Sequence, residues 1–165
     1  MRGDTVTLQG EDGKPFKVKI PAGVSDGQKI RLKGKGHPSR TGGPPGDLMI
    51  TVHVRPHPVF RREGDNLVLD LPVTFAEAAL GATVAVTTLD GSQVKVRIAP
   101  GTPSGRVLRL KGRGIATKGA TGDLLAKVQI IVPTELSEAE REAVEVLRDA
   151  RTDDPRAALF AAASA

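Results

Sequence analysis

The stretch K-V-K-I-P-A-G-V-S-D-G-Q-K-I-R-L-K-G-K-G at residues 17–36 returns as K-V-R-I-A-P-G-T-P-S-G-R-V-L-R-L-K-G-R-G at residues 95–114, an offset of 78 with ten of 20 positions identical. The register extends upstream without a gap: Gly3-Asp4-Thr5-Val6 falls over Gly81-Ala82-Thr83-Val84, and Asp12-Gly13 over Asp90-Gly91. Downstream, Gly46-Asp47-Leu48 meets Gly122-Asp123-Leu124 at an offset of 76. Two related domains in tandem account for this pattern. The second copy opens with N-L-V-L-D-L-P-V-T-F-A-E-A-A-L-G at 66–81, and subtracting 78 from positions 66–78 points before residue 1. The first copy is therefore expected to lack its opening strand, leaving a sheet edge uncovered, and the natural chain is expected to be longer.

Alternation of apolar and polar residues predicts strands at Thr5 to Leu8, Phe16 to Ile20, Lys29 to Leu32 and Leu48 to Val54, and the second copy repeats the set. Gly23, Gly27, Gly34 and Gly36 recur at 101, 105, 112 and 114, as tight turns with positive φ would require. The run F-A-E-A-A-L at 75–80 predicts one short helix stopped by Gly81. After Pro133, Ser137 with Glu140 three residues on forms a capping box, and helix is expected to about Ala150. The fold class that follows is mainly β: two tandem, homologous β-sandwich-like domains at 1–59 and 60–133, the first truncated at its N-terminus. A short C-terminal helix and tail follow at 134–165.

Composition narrows the function. With no Cys there is no disulfide, thiol catalysis or Cys-ligated zinc in this segment, which fits a cytoplasmic protein. No run approaches the roughly 18 apolar residues of a membrane span, and no secretory signal opens the chain. Tyr and Trp are absent and Phe occurs four times, so surfaces for stacking nucleic-acid bases are scarce. His37, His53 and His57 lack a companion Glu or Cys at metal-ligand spacing. L-K-G-K-G-H and L-K-G-R-G-I lack the Walker pattern, and no G-x-S-x-G occurs. No enzyme, metal or cofactor is expected.

Charge is divided unevenly. Residues 1–133 hold 20 Lys+Arg against 11 Asp+Glu, a balance of +9, whereas residues 134–165 hold 4 against 8, a balance of −4. Such a body either attracts an anionic partner or is a solvated β-surface. Most of the apolar set Val6, Leu8, Phe16, Val18, Ile20, Ile30, Leu32 and Ile50 must form core. Phe60 follows P-H-P and precedes Arg61-Arg62 at the junction of the copies, where core and groove readings both stand. Leu136, Ala139, Ala143, Val146 and Ala150 form a heptad stripe of mostly small residues, suited to pairing with another subunit or to packing on its own domain.

Several ordered motifs carry a resemblance that spans Gly3 to Pro133. They are I-P-A-G-V-S-D-G-Q-K-I-R-L-K-G-K-G, G-D-L, H-P-V-F-R-R-E-G-D-N-L, P-V-T-F-A-E-A-A-L-G, L-D-G and P-G-T-P-S-G. Together they resemble the C-terminal, client-binding region of DnaJ-type J-domain co-chaperones. The family carries a His-Pro-Asp triplet in its J domain, whereas the His-Pro pairs here are followed by Ser39 and Val59, so the J domain is not in this chain. Many members insert a Cys-rich zinc module between segments that match Thr5 to Leu8 and Lys17 to Ile20. Only Q-G-E-D-G-K-P-F lies there in this sequence, similar to the zinc-less class and its curved-DNA-binding J protein.

The resemblance implies a co-chaperone that binds unfolded or partly folded polypeptides and delivers them to a DnaK-type (70-kDa heat-shock) chaperone. It implies a homodimer joined by the C-terminal helix, with Leu136, Ala139, Ala143, Val146 and Leu147 at the contact. The client groove would include Leu8 and Phe60, with Val18, Ile20 and Ile30 as neighbours. Some zinc-less relatives bind the acidic tail of the partner chaperone, and Lys17, Lys19, Arg31 and Lys33 are the candidate contacts. The alternative from a different class is a basic DNA-binding module, favoured by the +9 body and opposed by the spread of its charges over both copies.

Overall fold

The computed structural model describes residues 3–10, 13–39, 42–117 and 119–163. The best-buried segment is N-L-V-L-D-L-P-V-T, which forms β6 (Asn66–Thr74). Its parallel partner is β10 (Leu124–Ile131), in register from Leu124 opposite Leu67 to Ile131 opposite Thr74. Leu124, Ala126 and Val128 are wholly buried, and Leu67, Leu69, Leu71 and Val73 nearly so. Each such aliphatic side chain contributes roughly 1.5 to 3 kcal/mol relative to exposure. Antiparallel β5 (Arg61–Glu63) and β9 (Val107–Leu110) complete a four-stranded sheet in the order β5-β6-β10-β9.

A separate antiparallel ribbon, β7 (Ala82–Thr87) with β8 (Gln93–Ile98), lays Val86 and Ile98 into the same core as the sheet, so the second copy is a small sandwich. The first copy repeats half of this plan. Ribbon β1 (Asp4–Gln9) with β2 (Pro15–Ile20) matches β7-β8, and β3 (Lys29–Leu32) with β4 (Leu48–Thr51) matches β9-β10. Among the described residues β4 has no strand on the side where β10 has β6. The first copy consequently buries only Val18 and Val24 to the degree seen in the second.

The mainly β expectation therefore holds, and the repeat is visible strand by strand. The strand predicted to run to Val54 stops at Thr51. Beyond it Val52 still exchanges backbone hydrogen bonds with Gln28 and Gly27, but the Val54 amide donates to the Asp26 carboxylate instead. Helix α1 (Phe75–Leu80) starts at a capping box of Thr74 and Glu77 and ends at Gly81, φ +84°. Helix α2 (Glu138–Asp149) starts at the predicted box, with the Glu140 amide on Ser137 Oγ and the Ser137 amide on Glu140 Oε2. Helix α3 (Ala157–Ala163) was not anticipated, although Asp154-Pro155 ahead of an alanine run is a readable start. Contacts divide the chain into Met1–Ile131 and Val132–Ala165.

The recurring glycines serve two purposes rather than one. Gly23, Gly27 and Gly34, and their counterparts 101, 105 and 112, have positive φ as predicted. Gly36 and Gly114 do not; there a Cβ would sit 2.7 Å from the carbonyl oxygen of Asp47 or of Asp123, so close backbone approach is what excludes a side chain. Gly112→Ala, with open space around it, is expected to cost about 1 kcal/mol for the left-handed backbone. Gly114→Ala should cost more than twice that because backbone must move, which urea denaturation of the two variants compares.

Candidate functional site

The β1-β2 ribbon sorts its side chains by alternation. Val6 faces Val18 and Leu8 faces Phe16 across one surface, with Ile20 beside Asp4 at the end. On the opposite surface Thr5 pairs with Lys19 and Thr7 with Lys17. Val18 is buried, Val6 is 37% exposed, and Leu8, Phe16 and Ile20 are half-buried, so the apolar surface is partly open. The Lys35 ammonium lies 5.5 Å from the centre of the Phe16 ring, which places the Gly34–Gly36 turn at the end of the ribbon.

Of the expected groove residues, the fold brings Leu8, Val18 and Ile20 onto this one ribbon. Ile30 stands on β3, opposite Ile50 of β4. Phe60 is 8% exposed and packs in the core cluster of Leu67, Leu69 and Leu124, to which Leu8, Val18, Ile20 and Ile30 do not belong. Its ring lies 5.0 Å from that of His57, whose Nδ1 accepts the amides of Val59 (3.1 Å) and Phe60 (3.3 Å). Phe60 is thus core on one side and, on the other, the floor of a cleft of about 510 Å³ that also touches Val54, Leu89 and Ile115.

That cleft was missed in the sequence, yet a signal for it exists. At the offset of 78, Leu89 replaces Glu11 and Ile115 replaces His37, so the second copy is apolar where the first is polar. Ile115 is 2% exposed. A Cβ on Gly23 would approach the Ala116 carbonyl to 2.8 Å, so the first copy seats closely on the second here. Arg62 fastens the contact by donating from Nη1 to the Val24 carbonyl at 2.9 Å.

Among the cations proposed for an acidic tail, Lys17 and Lys19 are exposed on the polar surface of the ribbon and Lys33 follows β3. Arg31 is engaged: its guanidinium pairs with Asp47. The second copy repeats the clip, with Arg109 Nε 2.5 Å from Asp123 Oδ2. In both, the other carboxylate oxygen accepts a turn amide, Gly34 at 2.8 Å and Gly112 at 2.7 Å. These amides first, and the arginines second, hold both carboxyls below the ordinary Asp value. In α2, Val146 and Leu147 are 70% and 41% exposed, Ala139 and Ala143 are exposed, and Leu136 is half-buried.

The domain model described as DnaJ C terminal domain matches residues 3–133. This chain belongs to that family. It is 53% identical over 155 residues to Chaperone protein DnaJ 1 of Streptomyces avermitilis, covering 93% of this chain and 39% of the relative. Chaperone protein DnaJ 2 of Cutibacterium acnes is 54% identical over 137 residues, 82% and 36% of the two chains. Chaperone protein DnaJ 1 of Mycobacterium tuberculosis is 50% identical over 133 residues, 80% and 33%. The chain thus spans between a third and two fifths of these curated relatives. All three relatives carry the name of a chaperone protein. Among the described residues no helix of this DnaJ C-terminal region is long and apolar enough to cross a membrane.

The two clips make acid stability legible. Both carboxyls have a folded-state pKa below the unfolded value of about 3.9, so their stabilisation is complete above that value and is lost as pH falls through the folded one. The melting temperature is expected to drop as the pH goes below about 4. Asp123→Asn should lower it at pH 7 and flatten the acid limb, as thermal melts at several pH values would record.

Proposed function

We propose that this chain is the client-binding part of a co-chaperone, holding extended apolar segments of unfolded polypeptides on the half-open face of the β1-β2 ribbon. The observation that carries the reading is that face: Val6, Leu8, Phe16 and Ile20 are all short of full burial in a family of chaperones. A ribbon pairs with an extended backbone while its pockets take alternate side chains. One buried Leu or Phe contributes roughly 1.5 to 3 kcal/mol, and ordering costs leave binding weak, as transient holding requires. In this reading residues 1–59 and 60–133 are two client-binding domains of the zinc-less class, with β1 and β2 joined directly through Gly10 to Lys14.

The remaining partners follow the family. Residues 134–165 join two copies through α2, and two arms on one client raise effective affinity by about 10² to 10⁴ where the geometry allows. Clients pass to a DnaK-type chaperone in the cytoplasm, with Lys17, Lys19 and Lys33 free to meet its acidic tail and Arg31 shared with Asp47. The basic body supports one rival, DNA binding.

Fluorescence anisotropy with a labelled unfolded apolar peptide and with a labelled duplex, each over a salt series, separates the two. Peptide binding should survive high salt and fall about tenfold in Leu8→Ser. Duplex binding alone, collapsing with salt, would replace this reading with the rival. Val146→Asp with Leu147→Asp should convert a dimer to a monomer in sedimentation velocity while leaving the β-sheet circular dichroism signal unchanged, since both residues lie outside the core cluster.

A further inference from the structure

We propose that His57 is an acid-sensitive latch on the connector between the two copies, holding the turn at residues 57–60 while its ring is neutral and releasing it when the ring is protonated. The chain leaves β4 after Thr51 and enters β5 at Arg61. Between them the Val54 amide is held by Asp26, and the amides of Val59 and Phe60 are held by His57 Nδ1 at 3.1 and 3.3 Å. Pro58 has no N–H, so these are the first two amides after His57 that can donate to the ring. The imidazole also lies against the Phe60 ring, with 5.0 Å between centres.

Nδ1 accepts through its lone pair, so the ring is neutral and carries its hydrogen on Nε2. A proton added to Nδ1 would face the two amides with a third N–H, and both would lose their acceptor. Phe60, whose side chain packs in the core of the second copy, would lose the contact that fixes its backbone. The seat of the first copy on the second would then be left to Arg62, Asp26 and the close approach at Gly23. A free imidazole titrates at about 6.5. Because the fold uses the neutral form, the latch's contribution is complete above that value and is lost as pH falls below it. This range lies above the one in which the Asp47 and Asp123 clips give way.

The neighbouring charges do not compensate for the lost bonds. Asp26, Arg55, Arg61 and Arg62 line the cleft beside the ring. Arg61 is paired with Asp70, at 2.9 and 3.0 Å, and Arg62 with Asp65, at 3.7 Å. Asp26 faces His53, whose Nδ1 is 3.7 Å from its Oδ1, and no carboxylate among the described residues pairs with His57. A charged His53 would draw towards Asp26 in acid, a change opposite in sign to that at His57. Both partners of that pair are exposed, which keeps it weak.

The test follows hydrogen exchange of the Val59 and Phe60 amides by NMR in the whole chain, comparing variants with the wild type at the same pH so that intrinsic exchange rates cancel. His57→Ala removes the acceptor at every pH, whereas His57→Asn keeps an oxygen acceptor for the same two amides and does not titrate. At about pH 7.5 the two amides should exchange about tenfold more slowly in the wild type than in His57→Ala. At about pH 5 that gap should close for the wild type and stay open for His57→Asn. Ring ¹⁵N shifts should place the hydrogen on Nε2 at the higher pH. A gap between wild type and His57→Ala that persists in acid, or is absent at both pH values, would overturn the latch. So would a gap that closes equally in His57→Asn, which would assign the acid effect to another group, and so would ring shifts that place the hydrogen on Nδ1.

Discussion

The parallel pairing of β6 with β10 is the constraint on which the rest of the β body depends. Leu124, Ala126 and Val128 line one face of β10 with no exposed surface, while Lys127 and Gln129 on the opposite face are exposed, so the paired strands cover a single core. The register is set where the strands begin. The Asp123 amide donates to Asn66 Oδ1 at 2.8 Å, and the Leu67 amide donates to the Asp123 carbonyl at 2.9 Å. The same residue uses its carboxylate to hold the Gly112 amide and Arg109, so its backbone meets β6 while its side chain joins β9 to the turn between β9 and β10. Burial among these contacts makes its loss costlier than that of an exposed ion pair.

The contrast between the copies follows from this pairing. Asp47 clips its own turn just as Asp123 does, but β4 has no parallel neighbour among the described residues and its copy is correspondingly open. Openness there is what leaves the β1-β2 ribbon with half-buried Leu8, Phe16 and Ile20, while the equivalent ribbon β7-β8 commits Val86 and Ile98 to core. Among the described residues the second copy holds the larger buried core. The Gly23 and Arg62 contacts fasten one copy to the other, and the cleft around Phe60 lies beside that fastening.

Much of this was legible in the sequence because it is local. Alternation located β1, β2 and β3 within a residue or so, and S-E-A-E located the start of α2, since period and capping depend on neighbours only. The repeat placed the turns. What sequence did not reveal was pairing across distance: nothing in N-L-V-L-D-L says that its partner is Leu124–Ile131 and that the two run parallel. Gly36 and Gly114 look like positive-φ glycines until the carbonyls of Asp47 and Asp123 are seen beside them. Arg31 reads as a free cation until Asp47, 16 residues away, is found against it. Phe60 left two readings open because it serves both, with its ring packed in the core on one side and lining the cleft on the other.

The central claim is that this region holds polypeptides by burying their apolar side chains. The most direct measurement is isothermal titration calorimetry of an unfolded apolar peptide into the chain at several temperatures, which gives the heat-capacity change of binding. Apolar burial predicts a negative value, the binding heat growing more exothermic as temperature rises. A binding heat independent of temperature, with affinity governed by salt, would contradict it and point to charge as the holding force.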